Sequence, residues 1–153
     1  MTLGVLDTLA RWKADHGVTF DYYLLDAFWF DAPGDYGSFH PETWPNGFGA
    51  VRARMDELGL KPGLWLDTTG GRIHGYEPWA ESLDIHTNWT YCLFDGPYGR
   101  GLLDAMQHAC TEWGVRMFKF DFANFYGVTE RFRHLSAGEV YTRNVEAATA
   151  AAE

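Results

Sequence analysis

Three stretches of this chain repeat one plan: a helical apolar stripe, a glycine, and then at once a short apolar run that ends in aspartate. They read LARWKADHGVTFDYYLLD, VRARMDELGLKPGLWLD and MQHACTEWGVRMFKFD. In the first, Val5, Leu6, Leu9 and Trp12 recur at helical spacing and Gly17 is the stop. In the second, Phe48, Val51, Met55 and Leu58 form the stripe and Gly59 the stop. In the third, Leu102, Leu103, Met106 and Trp113 precede Gly114. Apolar residues three and four apart share a helix face, and glycine ends a helix in the left-handed conformation without a Cβ penalty. The strand-sized runs that follow end at Asp26, Asp67 and Asp121. Further on, SAGE, from Ser136 to Glu139, has the form of a capping box and opens a last helix.

Helices alternating with apolar strands predict parallel strands joined by crossovers, with chemistry gathered at the carboxyl ends of the strands. The segments after those ends are long and rich in Gly, Pro, Trp and Tyr, whereas each helix-to-strand turn is short. This is the asymmetry of the two faces of a (β/α)8 TIM barrel. A whole barrel needs about 250 residues, so the expectation for residues 1–153 is an incomplete one, with about three parallel βα units. Its sheet edges would need partners, namely the remainder of the barrel from a longer chain. A doubly wound open sheet is the alternative, but the short Gly-rich strand-helix turn that usually marks it is missing.

Composition narrows the partners. A formal net charge of -9 with no Lys/Arg cluster disfavours nucleic acid and anionic membranes. The apolar runs fall short of the roughly 20 residues that span a bilayer, and no signal peptide is recognisable, which leaves the cytoplasm as the default expectation. Aromatic residues make up 17% of the chain, enough to fill a core and line a binding surface as well. Cys92 and Cys110 stand apart in apolar-patterned segments, as buried reduced thiols do. NWT, Asn88 to Thr90, matches a glycosylation acceptor in form only.

FKFDF, from Phe118 to Phe122, ends the third unit. Alternation on a strand places Lys119 and Asp121 on one face and Phe118, Phe120 and Phe122 on the other. A neighbouring ammonium favours the ionised aspartate, the state needed by a carboxylate nucleophile or a hydroxyl-binding carboxylate. A buried structural ion pair is the competing reading. Asp26 lies between YYLL and AFWF, with Asp31 and Asp35 following. Carboxylates among aromatic rings suit a neutral polyhydroxyl ligand, although a single loop aspartate is more often a turn residue. A metal centre is the rival use, but the histidines show no HxH or HExxH spacing. GPYGRG, Gly96 to Gly101, fits neither nucleotide-loop pattern, no GxSxG elbow is present, and His74 and His86 read as solvated loop residues.

Taken in order, YYLLDAFWF, GDYGSF, WPNGFGAVRARMDELGLKPGLWLD and GVRMFKFDF resemble the central barrel of the α-galactosidase or melibiase group, glycoside hydrolase clan D and nearest to family 36. The likeness runs from Gly17 to Asn124. It implies the second to fourth strands of the barrel, with Asp121 as the catalytic nucleophile. Asp26, Asp35 and Lys119 would contact sugar hydroxyls, and Trp29 and Trp65 would wall the sugar subsite. It further implies retaining hydrolysis of a small-molecule carbohydrate with no cofactor and no metal. The acid/base carboxylate would lie after the sixth strand, so this segment alone would not turn over. The sequence departs from the family at several points. Ala27 stands where a second sugar-binding aspartate is usual, Tyr36 where GDY replaces Gly-Asp-Trp, and DTT where Glu-Pro is usual, while Asn124 is displaced by one residue. An α-glucosidase-type barrel and a non-catalytic sugar-binding barrel are the alternatives.

Overall fold

The computed structural model describes residues 2–32, 34–69, 91–123 and 132–153. His74, His86, the NWT tripeptide and Asn124 lie outside the described residues. The chain runs α1 (Thr2–His16), β1 (Tyr22–Leu25), β2 (Phe30–Ala32), β3 (Asp35–Phe39), α2 (Gly49–Leu58), β4 (Lys61–Asp67), α3 (Pro97–Glu112), β5 (Met117–Asp121) and α4 (Ala137–Ala152). The expected helix-then-strand units are all present. The strands β1, β4 and β5 form a parallel three-stranded sheet in the order β1-β4-β5.

Each expected helix stop is a left-handed glycine, with φ of 67° at Gly17, 75° at Gly59 and 66° at Gly114. At the second, Gly59 N–H donates to the Asp56 carbonyl and Leu60 N–H to that of Met55, satisfying carbonyls that the helix end leaves open. Ser136 caps α4 as expected: its hydroxyl accepts from the Glu139 amide, and the Glu139 carboxylate accepts from the Ser136 amide.

The sheet's central strand is the most enclosed element, with every β4 residue from Pro62 to Asp67 buried. Leu64 and Leu66 pair in register with Phe118 and Phe120, and all four belong to one apolar cluster with Val51, Met55, Leu102, Met106 and Val115. The second helical stripe is therefore as the sequence indicates. The other two are narrower. In α1 Leu6 is fully buried, but Val5 and Trp12 are exposed, because α1 packs chiefly on α2. In α3 Leu102 points inward, whereas Leu103, one position or 100° further round the helix, is exposed.

The segment after β1, expected as a loop, is a β-hairpin instead. β2 and β3 pair antiparallel across a turn where Gly34 has φ 86°, and a bulge lies between Phe30 and Ala32. The hairpin carries Phe30, Tyr36 and Phe39 into the core beside Trp29, which pays for ordering this long connection. GPYGRG forms the start of α3, with Gly96 as N-cap and Pro97 in the first turn. A Cβ on Gly99 would overlap the Leu93 carbonyl, so this glycine serves close packing. Both cysteines are half-buried thiols rather than fully buried ones.

Candidate active site

Register brings the candidate residues together. Trp65 pairs with Lys119 and Asp67 with Asp121, so these four side chains share one sheet face. β1 pairs with β4 through Leu25 and Leu64, which puts Asp26 one step beyond, next to Trp65. All three parallel strands thus bring an aspartate to the same end of the sheet.

Lys119 bridges two of them. Its Nζ lies 3.4 Å from Asp26 Oδ2 and 3.6 Å from Asp121 Oδ2. The Lys119 and Asp26 side chains are 43% and 66% exposed. Exposed pairs of this kind contribute on the order of 0–1 kcal/mol, too little for a structural staple. That weighs against the buried-ion-pair reading of the sequence and leaves the group accessible to a ligand.

Asp121 is held more tightly. Trp65 Nε1 donates to its Oδ2 at 3.0 Å, and the Phe122 amide donates to its Oδ1 at 2.9 Å. The Trp65 hydrogen bond, followed by the Phe122 amide and Lys119, holds the carboxyl pKa below the usual aspartate value. The carboxylate is therefore ionised and oriented, with its side chain 38% exposed.

Trp65 and Trp29, the residues expected to wall a sugar subsite, are both enclosed by the core. Trp65 is 2% exposed, its ring stacked with Phe30 and met at its edge by Phe122. Its indole N–H orients the Asp121 carboxylate. Trp29 is equally buried: its Nε1 donates to the Trp65 carbonyl at 2.9 Å, and its ring packs among Phe30, Tyr36, Phe39 and Trp113. Asp35 accepts locally from the Gly37 amide at 3.2 Å, the turn role its loop position allowed. Asp26 accepts from the Ala27 amide at 2.8 Å and faces Lys119.

Phe122 leaves the alternation expected of FKFDF. The strand ends at Asp121, and Phe122 has φ 49°, in the left-handed region. That conformation costs a non-glycine residue about 1–2 kcal/mol, and buried threonines offset it. Thr68 N–H and Oγ1 both donate to the Asp121 carbonyl at 2.9 Å, and Thr69 Oγ1 donates to the Phe122 carbonyl at 2.8 Å. Phe28 is also left-handed, with φ 71°, and is 73% exposed two residues beyond Asp26.

Asp67 itself is fully buried, its Oδ1 accepting from the Thr69 amide at 3.1 Å. Tyr36 and Tyr98 donate to its carbonyl at 3.2 and 3.0 Å. Burial pushes both phenol pKa values up, so the two remain protonated donors that fix the end of β4. Tyr36 and the threonines of DTT stood out in the sequence only as departures from the family pattern; these contacts were not legible there, since each goes to a backbone carbonyl. Among the described residues no cluster of His, Cys, Asp or Glu could hold a metal ion. No helix among them is long and apolar enough to cross a membrane.

The architecture matches solved glycoside hydrolases. An α-galactosidase from Lactobacillus brevis has a TM-score of 0.65 at 18% identity, over 94% of this chain and 22% of that one. The fold is glycosidase-like. A GH31 α-xylosidase from a soil metagenome, solved with xylose, gives 0.60 at 15% identity over 97% of this chain and 26% of its own. A xylosidase from Aspergillus niger gives 0.54 at 15% over 74% and 18%. The chain spans between 18% and 26% of the length of these structures. At such identities the likeness concerns the fold alone. No protein-family model and no curated protein sequence matches this chain.

Proposed function

We propose that residues 1–153 form the nucleophile-bearing part of a retaining, α-galactosidase-like α-glycosidase barrel that acts on neutral sugars. The observation that carries this reading is the environment of Asp121. An ionised carboxylate at a strand's carboxyl end accepts one hydrogen bond on each oxygen and lies 3.6 Å from an ammonium. In retaining hydrolysis such a carboxylate attacks the anomeric carbon as the leaving-group oxygen departs with a proton from a second carboxyl group. Water, deprotonated by that second group, then cleaves the glycosyl ester and frees Asp121. The second carboxyl group must come within about 5–5.5 Å, and a later strand of the barrel would supply it.

Lys119 and Asp26 are suited to sugar hydroxyls, the lysine donating and the aspartate accepting. Exposed Phe28, beside Asp26, offers the ring face for the sugar's C–H surface that buried Trp29 and Trp65 do not.

A second reading, an α-xylosidase or α-glucosidase type of specificity, is favoured by Ala27. A methyl group there removes the hydroxyl-binding carboxylate that the α-galactosidase resemblance calls for. Mechanism-based reagents of α-galactose and α-xylose configuration, applied to the full-length protein, separate the two. The first reading expects the galactose reagent to esterify Asp121 faster, and the second expects the xylose reagent to. Labelling at another residue excludes both. A sugar that binds without any labelling indicates a non-catalytic barrel.

A further inference from the structure

The end of β5 is shaped by β4 through two side chains that the glycosidase reading leaves without a task. Thr68 and Thr69 are 2% and 1% exposed, and both hydroxyls reach across to the carbonyls of consecutive β5-end residues, Asp121 and Phe122. Buried hydroxyls must be satisfied somewhere, and threonine usually achieves this on its own or a nearby backbone group. Here the partners are 53 residues away and sit where the strand ladder stops. The Asp121 carbonyl is held twice, by Thr68 N–H and Oγ1, so the peptide plane following Asp121 has little freedom. That plane carries the Phe122 N–H which donates to Asp121 Oδ1. The next carbonyl, fixed by Thr69, keeps Phe122 in its left-handed conformation.

We infer that Thr68 and Thr69 are positioning residues that clamp the backbone on the C-terminal side of Asp121 and thereby set how its carboxylate is presented. The contact is wholly through backbone, so neither threonine touches a substrate. What the presented carboxylate does rests on the glycosidase reading; that it is presented by this clamp does not. Thr69 has the larger part, because removing its hydroxyl removes its bond to the Phe122 carbonyl, whereas Thr68 retains its N–H bond to Asp121 when its hydroxyl is removed.

The test is Thr69→Val, which keeps shape and removes the hydroxyl, compared with Thr69→Ser, which keeps the hydroxyl, in the full-length protein with 13C-labelled aspartate carboxyls. In Thr69→Val the Asp121 titration moves upward toward the ordinary aspartate value and the Phe122 amide resonance shifts. In Thr69→Ser both stay near those of the unmodified protein. Covalent labelling of Asp121, where it occurs, slows on the order of tenfold to a hundredfold in the valine variant, as for a misdirected reacting group. A folded Thr69→Val protein with unchanged Asp121 titration and Phe122 resonance overturns the inference. If Thr69→Val does not fold, the decision passes to Phe122→Gly, since glycine adopts positive φ unaided. Folding restored in the double variant supports the clamp, and folding not restored overturns it. Absence of labelling in the unmodified protein counts against the glycosidase reading and leaves the titration result standing.

Discussion

Trp65 and Asp121 meet across neighbouring parallel strands, the indole Nε1 donating to Oδ2 at 3.0 Å. This bond is the largest influence holding the carboxyl pKa down. Trp65 also has its own anchors, since Trp29 donates to its backbone carbonyl and Phe30 stacks on its ring. Orientation of the carboxylate is thus built into the core of the sheet.

Trp65→Phe removes the donor and keeps an aromatic ring. The Asp121 pKa should rise, which places the acid limb of any Asp121-dependent activity at higher pH. The sign follows from linkage. A depressed folded-state pKa gives stability that is complete above the ordinary value near 3.8 and is lost as pH falls through the lower folded value. Acid unfolding of the variant should accordingly lose part of that pH dependence. A rate loss on the order of tenfold or more is expected, read from pH profiles of both proteins.

Lys119 lies between Asp26 and Asp121, so Lys119→Met should act on binding and on the charge state of Asp121 together. On the glycosidase reading, KM rises and the Asp121 titration moves up, while stability changes by less than about 1 kcal/mol because the pairs are exposed. Steady-state kinetics and urea unfolding check the two halves. A large loss of stability would return the cluster to a structural role.

Two glycines of α3 should respond oppositely to alanine. A Cβ on Gly99 meets the Leu93 carbonyl, and backbone there cannot yield cheaply, so Gly99→Ala should destabilise by roughly 1–3 kcal/mol. Nothing lies within 4 Å of a Cβ on Gly101, and Gly101→Ala should stabilise by roughly 0.5–1 kcal/mol through helix propensity. Thermal melts of both variants decide this.

Ser136→Ala removes the N-cap of α4 and should cost about 1 kcal/mol. The Glu139 carboxyl is held below its usual value by the Ser136 amide and then by the Ser136 hydroxyl; alanine keeps the first and removes the second, so the hydroxyl's share is complete above the ordinary value near 4.5 and fades as pH falls through the lower folded one. The stability difference between variant and unmodified protein should narrow below that range, measured by denaturant unfolding at several pH values.

Much of the frame was legible in the sequence because its signals are local. Helical spacing followed by glycine and an apolar run locates three strands, and left-handed φ at Gly17, Gly59 and Gly114 is what those glycines were expected to provide. The capping box at Ser136 needs only residues three apart. The placement of Lys119 with Asp121 on one face follows from the two-residue strand period.

The partners of those residues were decided by the tertiary structure. Trp65 reaches Asp121 across 56 residues and Lys119 reaches Asp26 across 93, and both contacts depend on strand register, which no local pattern encodes. Register makes Trp65 a hydrogen-bond donor to Asp121, and the hairpin's rings enclose Trp29. The ladder's end turned Phe122 out of its alternation, where the threonines of β4 receive it. Which elements form, and where their aspartates fall, was written locally along the chain, since periodicity and chain stops act within a few residues. Only the assembled sheet decided which of those aspartates is oriented and held ionised, because hydrogen bonds and charge act through space between strands far apart in the chain.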